Sequence, residues 1–151
     1  MIFISHRGNL EGSKPDLENS PEYIRSALQH GFDVEVDVRL INGKFFLGHD
    51  KPQHEVDWKF LTNHSLWCHA KDIASLEAML SIGAHCFWHQ EDFVTLTSRG
   101  FIWTFPGVDL TSRSICVLPE LFDYKNIDCY GICSDEIKAY KEKNSDKSNS
   151  L

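Results

Sequence analysis

The residues of this chain with the strongest chemical character fall in its first fifty positions. Glu35 and Asp37 are two apart in Asp33-Val34-Glu35-Val36-Asp37-Val38-Arg39. In a strand that spacing puts both carboxylates on one face and the valines on the other. Two such groups side by side are hard oxygen donors of the kind that hold Mg²⁺ or Ca²⁺. His6 ends the first apolar run and His49 follows the second strand of a hairpin. Two imidazoles that titrate near neutrality are thus available for acid and base work. Arg7 can fork onto phosphate oxygens. The same alternation also describes an ordinary strand whose acids face water, and pattern alone leaves that reading open.

The elements that must position these groups are short. Ile2-Phe3-Ile4 predicts a strand ending in His6-Arg7-Gly8, and Ser20 to His30 predicts a helix with Ser20 as N-cap and Pro21 in the first turn. Gly31 stops it, and Asn42-Gly43 turns the acid-bearing strand into a hairpin through Phe45-Phe46-Leu47. A helix is expected near Glu55 to Leu61, a strand at Leu66 to Lys71, and a helix from Asp72 to Gly83. Strands follow at Ala84 to Gln90, Phe101 to Phe105, Ser114 to Leu118 and Tyr130 to Asp135, with a short helix from Asp92 and a helical turn at Pro119 to Tyr124.

His6-Arg7-Gly8, Glu18-Asn19-Ser20, Glu35-Val36-Asp37 and His49-Asp50, in that order, resemble the pattern of the glycerophosphodiester phosphodiesterases, relatives of the phosphatidylinositol-specific phospholipases C. The resemblance is close up to Asp50 and looser beyond, where Gly131-Ile132-Cys133-Ser134-Asp135 is similar to the end of that family's last barrel strand. It implies a metal-dependent phosphodiester hydrolase acting on a glycerophosphodiester or related small phosphodiester. His6 and His49 would be its general acid/base pair, and Arg7 and Lys71 would bind the phosphate. Where the family carries a carboxylate, Lys71 is preceded at two residues by His69, so Glu35, Asp37 and His69 become the implied metal ligands. An imidazole in that place moves preference from Mg²⁺ or Ca²⁺ towards Mn²⁺ or Zn²⁺.

Several residues keep two readings. His69 is a ligand or a strand histidine bonded in the interior. Glu18 binds metal, orients Arg7 or caps the helix start. His89 and Trp103 line the pocket or belong to the core, and Asp50 supports His49. Arg39 and Lys44 are expected to be solvated. A non-catalytic phospho-ligand-binding protein of the same fold is the alternative to the enzyme.

The length of 151 residues suggests one domain over 1–140, with 141–151 a disordered polar tail. Alternating strands and short helices predict an α/β fold, a reduced or irregular TIM-type (β/α) barrel, since a full one takes about 250 residues. Lys plus Arg is 15 against 22 Asp plus Glu, a formal charge of −7, which argues against coating nucleic acid or an anionic membrane. The first apolar run is too short for a signal peptide or a membrane span, so a cytoplasmic protein without membrane insertion is expected. Five cysteines without a C-x-x-C pair predict reduced, buried thiols.

Overall fold

A computed structural model describes residues 1–124 and 126–148. Ten strands form one sheet: β1 (Ile2–His6), β2 (Asp33–Ile41), β3 (Lys44–Leu47), β4 (His54–Val56), β5 (Leu66–Ala70), β6 (Cys86–Phe87), β7 (Val94–Leu96), β8 (Ile102–Thr104), β9 (Ser114–Val117) and β10 (Gly131–Ser134). Four helices accompany them: α1 (Pro21–Gln29), α2 (Trp58–Leu61), α3 (Ile73–Ser81) and α4 (Ile137–Ser148).

Seven strands run parallel in the spatial order β6, β5, β2, β1, β10, β9, β8. These are the seven strands the sequence pattern predicts. Between β6 and β8 stands β7, antiparallel to β8, and the turn after it touches β6 where the Ser98 amide donates to the Cys86 carbonyl at 2.8 Å. The hairpin β2–β3–β4 branches from the same edge of β2 that pairs with β1. The sheet curls until its ends meet through side chains: the Phe87 ring on β6 lies 4.5 Å from that of Trp103 on β8.

Local chemistry accounts for the elements around β2. The Ser20 side chain accepts from the Tyr23 amide to start α1, and the Asp72 side chain accepts from the Ser75 amide at 2.7 Å to start α3. Both are N-caps that satisfy amides the helix itself leaves unpaired. Asn42 and Gly43 both take positive φ, +49° and +76°. A two-residue hairpin turn of this hand demands that backbone. The outward face of β2 buries Val34, Val36 and Val38 against Ile24 and Ala27 of α1 and Met79 of α3. The inward face carries Glu35 and Asp37. A second apolar cluster, including Ile4, Trp67, Phe87, Trp103, Ile115 and Cys133, fills the inside of the curl.

Four expectations are corrected. The helix placed at Glu55 to Leu61 is β4 followed by α2, because His54 to Val56 extends the hairpin and Asp57 caps a helix only from Trp58. The strand placed at Ala84 to Gln90 is ladder-paired only at Cys86 and Phe87. The helix placed from Asp92 is β7, whose Val94-Thr95-Leu96 suits an extended partner for β8. The tail placed as disordered from residue 141 continues α4 to Ser148. Its Lys141 sits 4.4 Å over the Phe32 ring and donates to the Gly31 carbonyl. Residues 149–151 of that tail lie outside the described residues. All five cysteines are buried free thiols. Among the described residues no helix is long and apolar enough to cross a membrane.

Candidate active site

The inner face of the curl changes character two residues further along each of four strands. Ile4 gives way to His6, Trp67 to His69, Phe87 to His89 and Cys133 to Asp135. The apolar layer is the floor, and the polar layer lies at the C-terminal ends of the parallel strands, where residues leave the ladder and face a common cleft. The cleft measures about 420 Å³, and His6, Arg7, Glu35, His49, His69 and Lys71 are among the residues that line it.

Asp37 is the buried anchor of this layer. It has no solvent exposure, and its two oxygens are addressed differently. Oδ2 accepts from the Asn19 side chain at 2.9 Å and faces Arg7 Nε at 2.9 Å; Oδ1 lies 3.4 Å from Lys71 Nζ and 3.5 Å from His69 Nδ1. Burial alone would raise its pKa, but His69, Arg7 and Lys71 outweigh that and hold the carboxyl well below its ordinary range. Glu35 goes the other way. Burial first, and then the charge of Asp37, push its pKa up. Of the two acids, Glu35 therefore takes a proton more readily.

Arg7 is fixed rather than free. Its φ of +55° lies in the left-handed region, and the conformation is held by its amide donating to the Glu35 carbonyl and its carbonyl accepting from the Asn19 amide. Such a backbone is unusual for a residue with a Cβ and persists only where its surroundings fix it. Glu18 accepts from Arg7 at 3.2 Å, and also from Asn9 and Ser13. Gly8 completes the turn at φ +97°, where a Cβ would come within 2.6 Å of the Tyr23 ring.

His6 Nδ1 lies 2.8 Å from Asp135 Oδ1, and its Nε2 is 3.9 Å from Glu35 Oε2. Burial would lower its pKa, but the Asp135 hydrogen bond and the Glu35 charge raise it overall. Asp135 is held in turn. Asn9 donates to its Oδ1 at 2.8 Å, and Glu120, on the 3-10 turn at Pro119–Leu121, accepts from its amide at 2.9 Å. His49 stands at the rim, its side chain 43 % exposed, with Nδ1 2.7 Å from Asp50 Oδ1. Arg39, expected in solvent, donates to the carbonyls of Gly48 and His49 and so holds the rim loop. Lys44 pairs with Glu55 on the surface at 2.9 Å.

Glu35, Asp37 and His69 each offer one ligand atom within 4.8 Å of the others. Glu35 Oε2, Asp37 Oδ1 and His69 Nε2 are buried without a hydrogen-bond partner, and so is His89 Nδ1. Unpaired buried polar atoms are costly, and an unpaired oxygen on each of two neighbouring acids fits a site for a cation; the His69 nitrogen that approaches both acids is Nδ1, at 3.7 Å from Glu35 and 3.5 Å from Asp37. The His69 ring stacks against those of Phe87 and His89, at 5.0 and 4.6 Å, and the two, 6.3 Å apart, set its plane. His89 is pushed down to about 4, by burial first and then by His69 and Lys71. Trp103 is both core and cleft wall.

Sequence reasoning did not single out Asn9, Asn19, Asp135 or Glu120 as site residues. Asn19 and Asp135 lie inside stretches that carry a motif, and that was the signal available; Asn9 and Glu120 have no such signal. No family model, curated protein or solved structure matches the chain.

Proposed function

We propose that the chain is a metal-dependent phosphodiester hydrolase, similar to the glycerophosphodiester phosphodiesterases and built on a short (β/α) barrel left irregular between β6 and β8. The observation that carries this reading is that His6, Arg7, Glu35, His49, His69 and Lys71, drawn from β1, β2, the rim loop and β5, line one cleft.

Cleaving a phosphodiester needs charge neutralised on the phosphoryl oxygens, a proton taken from the attacking hydroxyl and a proton given to the leaving oxygen. Arg7 and Lys71 supply fixed positive charge to the phosphate. Asp135 occupies His6 Nδ1, so the proton that moves in catalysis is carried on Nε2, facing the cleft. His49 at the rim takes the complementary role. As the bond from phosphorus to the attacking oxygen forms and that to the leaving alcohol breaks, one histidine gains a proton and the other gives one up. A divalent cation held by Glu35, Asp37 and His69 would supply further neutralisation of the phosphoryl oxygens. The test is a screen of small phosphodiesters with Mg²⁺, Ca²⁺, Mn²⁺ or Zn²⁺, run with wild type and His6→Ala. Turnover by wild type that His6→Ala loses supports the reading, and no turnover with any metal, or equal turnover by the variant, rejects it.

One observation favours a second reading, a phospho-ligand-binding protein without turnover. Arg7 and Lys71 lie at 2.9 and 3.4 Å from Asp37, so the most buried acid of the layer is already paired with two cations without a metal. Calorimetric binding of a phosphate monoester, unaffected by chelator and unaccompanied by hydrolysis, would select it.

A further inference from the structure

The polar layer does not run all the way round the cleft. On β8 the inward residue above Trp103 is Phe105, and on β9 the inward residue above Ile115 is Val117, followed by Leu118, so this side stays apolar where the other strands turn polar. Phe105 is 48 % exposed although it lines the cleft. Opposite it, just before β7, lies Phe93, one step beyond the Val94–Thr104 pair, with the Phe105 amide donating to the Phe93 carbonyl at 2.8 Å. Cross-strand neighbours share a face, so Phe93 stands on the same side of the hairpin as Phe105. Phe93 is 68 % exposed. Trp103 and Phe105 on the cleft wall, with Phe93 exposed as the cross-strand neighbour of Phe105, thus make an aromatic strip on this side.

Resting on the phosphodiesterase reading, we infer that this strip is the subsite for one ester arm of the substrate, and that the arm it takes is a planar aromatic group. The phosphate is placed at the opposite wall by Arg7 and Lys71, so an arm leaving phosphorus crosses the cleft towards β8. The cleft, at about 420 Å³, holds a phosphodiester and a ring together. That volume lies within the range of small-molecule sites. The chemistry of the strip selects the arm. An aliphatic chain is satisfied by any apolar wall, whereas rings gain further from stacked or edge-on neighbours. Exposed aromatic side chains at a cleft mouth leave apolar area uncovered until such an arm lies on them.

The experiment uses glycerol phosphodiesters whose second arm is methyl, n-hexyl, cyclohexylmethyl or benzyl, together with the matching non-hydrolysable phosphonates measured by calorimetry. Cyclohexylmethyl and benzyl have similar bulk and differ in aromaticity. The benzyl diester should exceed the cyclohexylmethyl one in kcat/KM, and in phosphonate affinity, by about three- to tenfold, the range of aromatic pairing beyond area burial. Phe105→Leu, and separately Phe93→Leu, should bring that ratio towards one, and Phe105→Tyr should keep it. Equal values for benzyl and cyclohexylmethyl, or a preference for hexyl, overturn the inference while leaving the hydrolase reading intact. Preferential benzyl phosphonate binding without turnover of any diester keeps the subsite and removes the hydrolase. Absence of both turnover and binding removes both.

Discussion

His6 and Asp135 lie 129 residues apart in the chain and meet at 2.8 Å because β1 and β10 are parallel neighbours, with Ser5 opposite Ser134. The pair has a defined pH signature. Asp135 is held below its ordinary 3.8 by His6 and Asn9 against the opposing effect of burial. Its contribution is therefore present above that value and is lost as the pH falls through its folded pKa. His6 is raised above its ordinary 6.5. Its contribution is full below that value and is lost as the pH rises through the folded pKa. Asp135→Asn should therefore cost stability mainly between about pH 4 and pH 6.5, by about 1–2 kcal/mol for a charged hydrogen bond made neutral. It should also lower the His6 pKa. Denaturant melts at several pH values, with an NMR titration of His6, check both; a pH-independent loss would mean that the pair is not ionic.

Asn19 is the most exacting residue of the layer. Its side chain both donates to Asp37 Oδ2 and accepts from the Asp37 amide at 2.9 Å, and its own φ is +62°. Asn19→Ala strands two buried groups and puts a Cβ in the left-handed region without a compensating bond. The expected loss is about 2–4 kcal/mol. Asn19→Gly relieves the backbone but not the hydrogen bonds, so it should recover part of that loss. Thermal unfolding of the two variants, equal within error, would show that the hydrogen bonds and not φ carry the effect.

The two histidines should separate in behaviour. The His6 side chain is 13 % exposed, bonded to Asp135 and close to Glu35, whereas that of His49 is 43 % exposed and bonds Asp50, its carbonyl accepting from Arg39. Each change to Ala should lower turnover of a cognate phosphodiester by about a hundredfold or more, the scale of a lost acid or base. Only His6→Ala should also shift stability measurably. Arg39→Ala, which frees the rim loop, should lower kcat through His49 while leaving phosphate binding in place. If Arg39→Ala matched wild type in kcat, the rim would not need that clamp.

Much of this site was legible in local pattern. The caps Ser20 and Asp72, the Asn42-Gly43 turn and the alternation of β2 are short-range signals, and each element forms where they put it. The alternation did not say which face was buried. Glu35 and Asp37 lie inside because the valines claim the helix side, and the inside is made tolerable by Arg7, Lys71 and Asn19, which come from other elements. What stayed hidden was long-range. Asp135 becomes a partner of His6 only through the β1–β10 register, and the helix expected from Asp92 became a strand because β8 has no other neighbour on that side among the described residues. Arg39 read as a surface charge because nothing local reveals that the loop carbonyls of Gly48 and His49 converge on it.

Lys71 offers the sharpest test of how the layer divides its charges. Its Nζ lies 3.4 Å from Asp37 Oδ1, an oxygen with no hydrogen bond that belongs to the candidate cation site, so lysine and metal compete for it. Unit charges near this distance interact by up to about 4 kcal/mol in a surface-like dielectric; a quarter of that is roughly fivefold in affinity. Lys71→Met should therefore bind a divalent cation about fivefold more tightly in a calorimetric titration, and a chelator should strip it. The same variant should bind phosphodiesters less well, because the phosphate loses a cation. Glu35→Ala/Asp37→Ala should lose the cation altogether. Were that double variant to bind metal as wild type does, the cation site would lie elsewhere. Were Lys71→Met to weaken both metal and diester, the lysine would be supporting the site and not competing within it.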